Sequence, residues 1–146
     1  MKAIAEIIEG HPLIHANPSD NVRQVARMMT DRNVGAIAVL DSGRLVGVFS
    51  ERDLMARVVA TGLNPDDTPV SNVMTKELIV ADAGDGVSEA LQKMYDCKCR
   101  HLPVVRGGKL IGMLSIRDLL QVDDETQRQR ASFLRELVTY SPDYDS

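Results

Sequence analysis

The chain contains the same stretch twice, and no other feature restricts its fold as much. Gly43-Arg-Leu-Val-Gly-Val-Phe-Ser-Glu-Arg-Asp-Leu-Met55 returns as Gly108-Lys-Leu-Ile-Gly-Met-Leu-Ser-Ile-Arg-Asp-Leu-Leu120, an offset of 65 residues. The offset holds without a gap from Pro12 over Glu77 to Arg57 over Val122. Fifteen of those forty-six pairs are identical, among them Leu13/Leu78, Ile14/Ile79, Val22/Val87, Met29/Met94, Asp31/Asp96 and Val39/Val104. Two copies of one sequence unit fold as two copies of one structure. They are too few for a solenoid, so a pair packed about a pseudo-two-fold axis is expected.

Each copy reads in the same order. Apolar stretches open them at 13–16 and 78–81. Val22, Val25, Ala26 and Met29 then follow at helical spacing, as do Val87, Ala90, Leu91 and Met94. Asp20 and Asp85 are the expected caps. Short apolar runs at 36–40 and 45–49, and at 102–105 and 110–114, are split by Asp41-Ser42-Gly43 and Arg106-Gly107-Gly108, which suit hairpin turns. Helical spacing resumes at 51–60 and 116–122. The expected fold is α+β, with two βαββα repeats and an extra C-terminal helix. Residues 1–65 hold the first repeat, with Ile4, Ile7 and Ile8 as its lead-in. Residues 66–122 hold the second, led in by a short helix at 70–75, and 123–146 form the last helix and tail. That helix places Phe133, Leu134, Leu137 and Val138 on one face, for packing on its own module or on another chain. With no Trp and 3% aromatic residues, a mainly aliphatic core is expected.

The strongest repeated string is Gly-apolar-apolar-Ser-x-Arg-Asp-Leu, at 47–54 and 112–119, where a strand gives way to a helix. Unpaired N–H groups and the positive end of the helix dipole favour an anion at such a junction. The glycine lets a ligand approach the backbone, the serine can bond a phosphate or ribose oxygen, and the aspartate can accept from ribose hydroxyls. The same residues also have a purely structural reading, because Ser50-x-x-Asp53 and Ser115-x-x-Asp118 are close to a helix capping box. Both readings stand at the level of the sequence.

Strand, helix, two strands ending in Gly-h-h-Ser-x-x-Asp (h, apolar), and helix, twice over, resemble a pair of CBS (cystathionine-β-synthase) domains, a Bateman module. Val70-Ser-Asn-Val-Met-Thr75 and Arg100-His-Leu-Pro-Val-Val105 fit that pattern too, and the resemblance covers residues 1–122. It implies a non-catalytic regulatory module with two clefts for adenosine nucleotides: AMP, ADP, ATP, S-adenosylmethionine or NAD(H). One cleft would use Ser50 and Asp53 with Ile79, Val80, Arg100, His101 and Pro103. The other would use Ser115 and Asp118 with Ile14, His15, Ala16, Val34, Gly35 and Ala36, and Arg52 and Arg117 would assist. In this reading the aspartates hold ribose, while Arg100 and His101 hold phosphate. Asp53→Ala is then expected to weaken binding more than Asp118→Ala. The resemblance also implies a homodimer, and an effector protein that reads a ligand-dependent shape.

Other classes are disfavoured. A net charge of −4 argues against nucleic acid as a partner. No apolar run reaches the roughly 18 residues of a membrane span, and the start, Met1-Lys2-Ala3-Ile4-Ala5-Glu6, does not read as a secretion signal, so a cytoplasmic location is expected. No nucleophile–base pair or catalytic string is evident, so neither an enzyme nor a catalytic cofactor is expected. Cys97-x-Cys99-x-His101 lacks a fourth ligand for structural zinc and is interleaved with Lys98 and Arg100. Two small buried or half-buried thiols are expected there, rather than a metal site or a disulfide framework. The flanking cations would lower a thiol pKa. The alternative function is therefore a redox-regulatory or protein-interaction module without a physiological nucleotide.

Overall fold

The computed structural model describes residues 2–122 and 134–137. Along the chain run α1 (Ile4–Ile7), β1 (His15–Ala16), α2 (Val22–Arg32), β2 (Ala36–Asp41), β3 (Arg44–Ser50), α3 (Glu51–Asp53), β4 (Ala81–Asp82), α4 (Val87–Cys97), β5 (His101–Arg106), β6 (Lys109–Ser115) and α5 (Ile116–Leu120). The chain is α+β, and each repeat follows the order β-α-β-β-α.

A short polar side chain sets where α2 begins. Asn21 Oδ1 accepts from the Gln24 N–H (2.9 Å) and Gln24 Oε1 accepts from the Asn21 N–H (2.9 Å), so two first-turn donors are paired at once. The caps sit one residue past the expected aspartates, at Asn21 and Gly86. Asp20 and Asp85 instead tie the turn before the helix, accepting from the Asn17 N–H (2.9 Å) and the Asp82 N–H (3.0 Å). Val22, Val25 and Met29 in α2, and Val87, Ala90, Leu91 and Met94 in α4, are buried as their spacing predicts. The 51–60 stretch is helical as its spacing predicts, though not α-helical throughout. After α3 the helix widens into π turns over Leu54–Val59, with the Ala60 N–H bonded to the Met55 carbonyl (2.9 Å). The helix expected at 70–75 is a single 3₁₀ turn, Val70–Asn72.

Each repeat forms one three-stranded sheet with its second strand in the middle, β1-β2-β3 and β4-β5-β6. β1 runs parallel to β2, pairing His15 with Ala38, and β4 parallel to β5, pairing Ala81 with Val104. The helices α2 and α4 supply the crossovers that parallel pairing requires. β2 and β3 run antiparallel, from Ala36 beside Ser50 to Asp41 beside Arg44. Their hairpin turns on Ser42 (φ 51°) and Gly43 (φ 83°), and the second hairpin on Gly107 (φ 58°) and Gly108 (φ 80°). Two positive φ values in a row match the twist of the strands on either side.

The described residues of Met1–His11, Ile79–Arg106 and Ile111–Ser146 gather into one compact unit, and Pro12–Leu78 with Gly107–Leu110 into another. Each has its own core. Ile4, Met94, Leu102, Leu114, Leu119 and Leu137 are in the first, and Val22, Val25, Ile37, Val39, Phe49 and Val70 in the second. The lead-ins are thus exchanged relative to the sequence blocks 1–65 and 66–122. Ile4 and Ile8 pack with the second repeat, and Val70, Val73 and Met74 with the first. Their backbones dock alike, the Ile4 N–H on the Asp85 carbonyl (2.9 Å) and the Val70 N–H on the Asp20 carbonyl (2.8 Å).

This docking explains the glycine in the repeated string. A Cβ on Gly47 would collide with the Met74 side chain, and one on Gly112 would come within 2.8 Å of Ile8 Cδ1. The glycines admit the lead-in, where the sequence suggested the approach of a ligand.

Within 123–146 only residues 134–137 are described. They are helical, and Leu134 and Leu137 pack on the core that holds α1. Phe133 and Val138 lie outside the described residues. No helix among the described residues is long and apolar enough to cross a membrane.

Candidate functional site

β3 and β6 each end in a serine with extended backbone, and each serine forms a complete capping box. Ser50 Oγ accepts from the Asp53 N–H (3.2 Å) and Asp53 Oδ2 from the Ser50 N–H (3.0 Å). Ser115 Oγ accepts from the Asp118 N–H (3.1 Å) and Asp118 Oδ2 from the Ser115 N–H (2.8 Å). The structural reading of the motif is therefore realised in both repeats. It also holds one hydroxyl and one carboxylate in fixed places at the end of each sheet.

Hydrogen bonds within each repeat define what stands beside each box. The Glu51 N–H donates to the Gly35 carbonyl (3.0 Å), and Ala36 pairs in register with Ser50, so Val34, Gly35 and Ala36 border the first box. β1 adds the exposed His15 and the buried Ala16 on the other side of β2, after a half-buried Ile14. In the second repeat the Ile116 N–H donates to the Arg100 carbonyl (2.8 Å), which sets Arg100 and His101 beside Ser115. Pro103 is buried within β5, Ile79 is exposed, and the Val80 carbonyl accepts from Lys93 Nζ (3.0 Å). Arg52 and Arg117 are exposed on the first turns of α3 and α5. The grouping implied by the resemblance crosses the repeats, whereas these hydrogen bonds run within each one.

The two carboxylates differ in a way that the repeat itself does not announce. Asp53 is 7% exposed. Thr75 Oγ1 donates to its Oδ1 (3.1 Å) and Oδ2 (3.3 Å), and Arg57 Nε lies 3.6 Å from Oδ1. Arg57 also reaches back to the Met74 carbonyl (3.0 Å), tying the lead-in to the box. Asp118 is half-buried, and among the described residues its Oδ1 accepts no hydrogen bond. Glu9 stands where Thr75 would be, counting from the docked Ile4 and Val70, and Val122 stands where Arg57 would be. Neither can serve as the missing donor. Thr75 and Arg57 escaped the sequence reading because it weighed repeated residues, and these two do not repeat.

His101 is neutral at pH 7. Its pKa is lowered from 6.5 to about 4, chiefly by burial, with Asp118 pulling it upward and neighbouring Arg100 adding a smaller depression. A neutral imidazole carries one ring N–H, which can donate to a phosphate oxygen without adding charge. A consequence for stability follows. Between pH 6.5 and about 4 the unfolded chain takes up this proton and the folded chain does not, so stability falls as pH drops through that window. His101→Gln is expected to remove this part of the slope, as read from urea midpoints of both proteins between about pH 7 and 5.

The expectation of two free thiols is overturned. Cys97 and Cys99 are joined in a disulfide, their Cα atoms brought to 5.3 Å by the left-handed turn at Lys98 (φ 54°). Among the described residues no group of three or more His, Cys, Asp or Glu is placed to hold a metal ion.

Comparison with known proteins agrees with this architecture. The family model for the CBS domain matches twice, at residues 4–60 and 70–125. An Arabidopsis thaliana CBS domain-containing protein, CBSCBSPB2, is 41% identical over 105 residues, which make up 71% of this chain. This chain spans only 20% of that protein's length. The CBS domain-containing protein YhcV of Bacillus subtilis is 35% identical over 103 residues, covering 70% of this chain and 73% of YhcV. A CBS domain protein of Pyrobaculum aerophilum, solved in complex with AMP, is 30% identical, covers 90% of this chain and 99% of its own, and superposes with a TM-score of 0.78.

Proposed function

The chain belongs to the CBS-domain family, and we propose that it is a regulatory module that takes an adenosine nucleotide, AMP in the first instance, beside its Ser-x-x-Asp boxes. One observation carries this reading. A serine and an aspartate are held in the same reciprocal geometry at both strand-to-helix junctions. Support comes from the Pyrobaculum aerophilum relative, which was solved with AMP. Each serine oxygen accepts from a backbone N–H, which leaves its own O–H to donate to a ribose or phosphate oxygen. An aspartate oxygen can accept from ribose hydroxyls.

Asp118 Oδ1 is open to such a donor, whereas Asp53 Oδ1 already takes Thr75. Ribose capture is thus proposed at Asp118 first, which reverses the order expected from the sequence. Arg100, always cationic, would supply the charge for phosphate there. ATP and NAD(H) share the adenosine half of AMP and differ only in what extends from it. Binding regulates only through different affinities for two shapes of the protein. A second copy of the chain, as a homodimer, and an effector protein in the cytoplasm are the proposed readers of that difference.

The test is a thermal-shift series with AMP, ATP and NAD on the full chain. A ligand at about 100 times its Kd adds roughly 2.7 kcal/mol. Asp118→Ala is expected to weaken AMP binding by about 10-fold or more, the loss of one charge-assisted hydrogen bond. If none of the three shifts the melting temperature, the protein-interaction reading takes the place of this one.

A further inference from the structure

The turn that joins Cys97 to Cys99 also exists in the first repeat, without sulfur. After α4 the Cys99 N–H bonds the Met94 carbonyl (3.0 Å) across Lys98 (φ 54°). After α2 the Val34 N–H bonds the Met29 carbonyl (3.0 Å) across Asn33 (φ 54°), with Arg32 and Val34 in the cysteine positions. The backbone therefore closes this turn with or without the bond. A bridge spanning one residue also restrains the unfolded chain little, because the entropy a cross-link removes grows with the length of its loop. The disulfide is thus neither required for the turn nor a strong staple. Both cysteines are half-buried against the core, interleaved with Lys98 and next to Arg100.

From these observations we infer that Cys97 and Cys99 are a reversible dithiol–disulfide pair, a site of exchange with low-molecular-weight thiols of the glutathione class. The thiolate of one such molecule attacks one cysteine sulfur and the Cys97–Cys99 bond breaks. A mixed disulfide forms, and the other cysteine leaves with the electron pair and takes a proton. A second small thiol attacks the mixed disulfide and frees the remaining cysteine, which takes the second proton. The protein gains two electrons and two protons, and two small thiols become one disulfide.

The reduced form has an acceptor in place, since Cys97 Sγ lies 3.7 Å from the Met94 carbonyl. The exchange also has a route to the box in its own repeat. Arg100 follows Cys99 directly, and its carbonyl holds the Ile116 N–H beside Ser115 (2.8 Å).

The test equilibrates the full chain in buffers of graded reduced-to-oxidised glutathione ratio, traps thiols by alkylation, counts them by mass and records circular dichroism. Both thiols are expected to appear together as the buffer becomes reducing and to vanish together on return, with the secondary structure retained throughout. The double variant Cys97→Arg, Cys99→Val, which copies the first repeat, is expected to fold and to show no redox-dependent alkylation. Thiols that stay reactive at every ratio, bridges between chains in place of the internal one, or unfolding on reduction would each overturn the inference. None of these results bears on nucleotide binding, which is tested separately.

Discussion

Asp53→Ala is expected to destabilise the unit containing residues 12–78 by about 3 kcal/mol, and Asp118→Ala to destabilise its own unit by about 1 kcal/mol. Both substitutions remove the carboxylate that closes a capping box, a loss of about 1 kcal/mol for a typical helix cap. Only Asp53→Ala also strands the Thr75 hydroxyl, which donates to that carboxylate at 3.1 Å. A half-buried donor left without its acceptor costs about 1–3 kcal/mol. The contact with Arg57 contributes less, because the Arg57 side chain is 51% exposed and solvent screens it. Urea midpoints at unchanged slope would read both losses. A cycle of Asp53→Ala and Thr75→Val would isolate the coupling. Equal losses for the two aspartates would mean that the lead-in residue contributes nothing to the first box.

Phe49→Ala is expected to cost about 3–5 kcal/mol, from lost burial plus the cavity it leaves. Phe49 is fully enclosed among Val22, Val25, Ile37, Val39 and Val70. Domains are stable by only about 5–15 kcal/mol, so the loss would bring this unit close to unfolding. Phe49→Leu should cost far less, about 1 kcal/mol, because the second repeat carries Leu114 at the equivalent place, also fully buried. Urea titration of the three proteins checks this. A Phe49→Leu loss as large as that of Phe49→Ala would show that the two cores are not packed interchangeably despite their shared pattern.

Much of the fold was legible from local signals. The stripe Val22, Val25 and Met29 marks a helix because side chains three and four apart share a face, and the structure buries that stripe. Asp41-Ser42-Gly43 marks a hairpin because its two-residue turn needs positive φ, and Ser42 and Gly43 have it. The caps were misplaced by one residue because Asp20 and Asn21 are both good capping residues. Only the backbone path shows that Asp20 is used to close the preceding turn. Ser-x-x-Asp was legible as a motif in both repeats, but its two meanings, cap and ligand holder, use the same atoms. Local spacing therefore could not separate them.

The repeat, its strand-and-helix order and the equivalence of the two boxes follow from residues close together in the chain, where periodicity and turn chemistry act directly. The exchange of the lead-ins does not. Ile4 and Ile8 are as apolar as Val70 and Met74, so either pair suits either core by composition, and three-dimensional packing assigns them. The same holds for Thr75 on Asp53, for the burial that keeps His101 neutral and for the space that Gly47 and Gly112 leave to a lead-in side chain. Each depends on groups brought together across the chain. A one-dimensional pattern records which side chains can be buried, but not which neighbours will bury them.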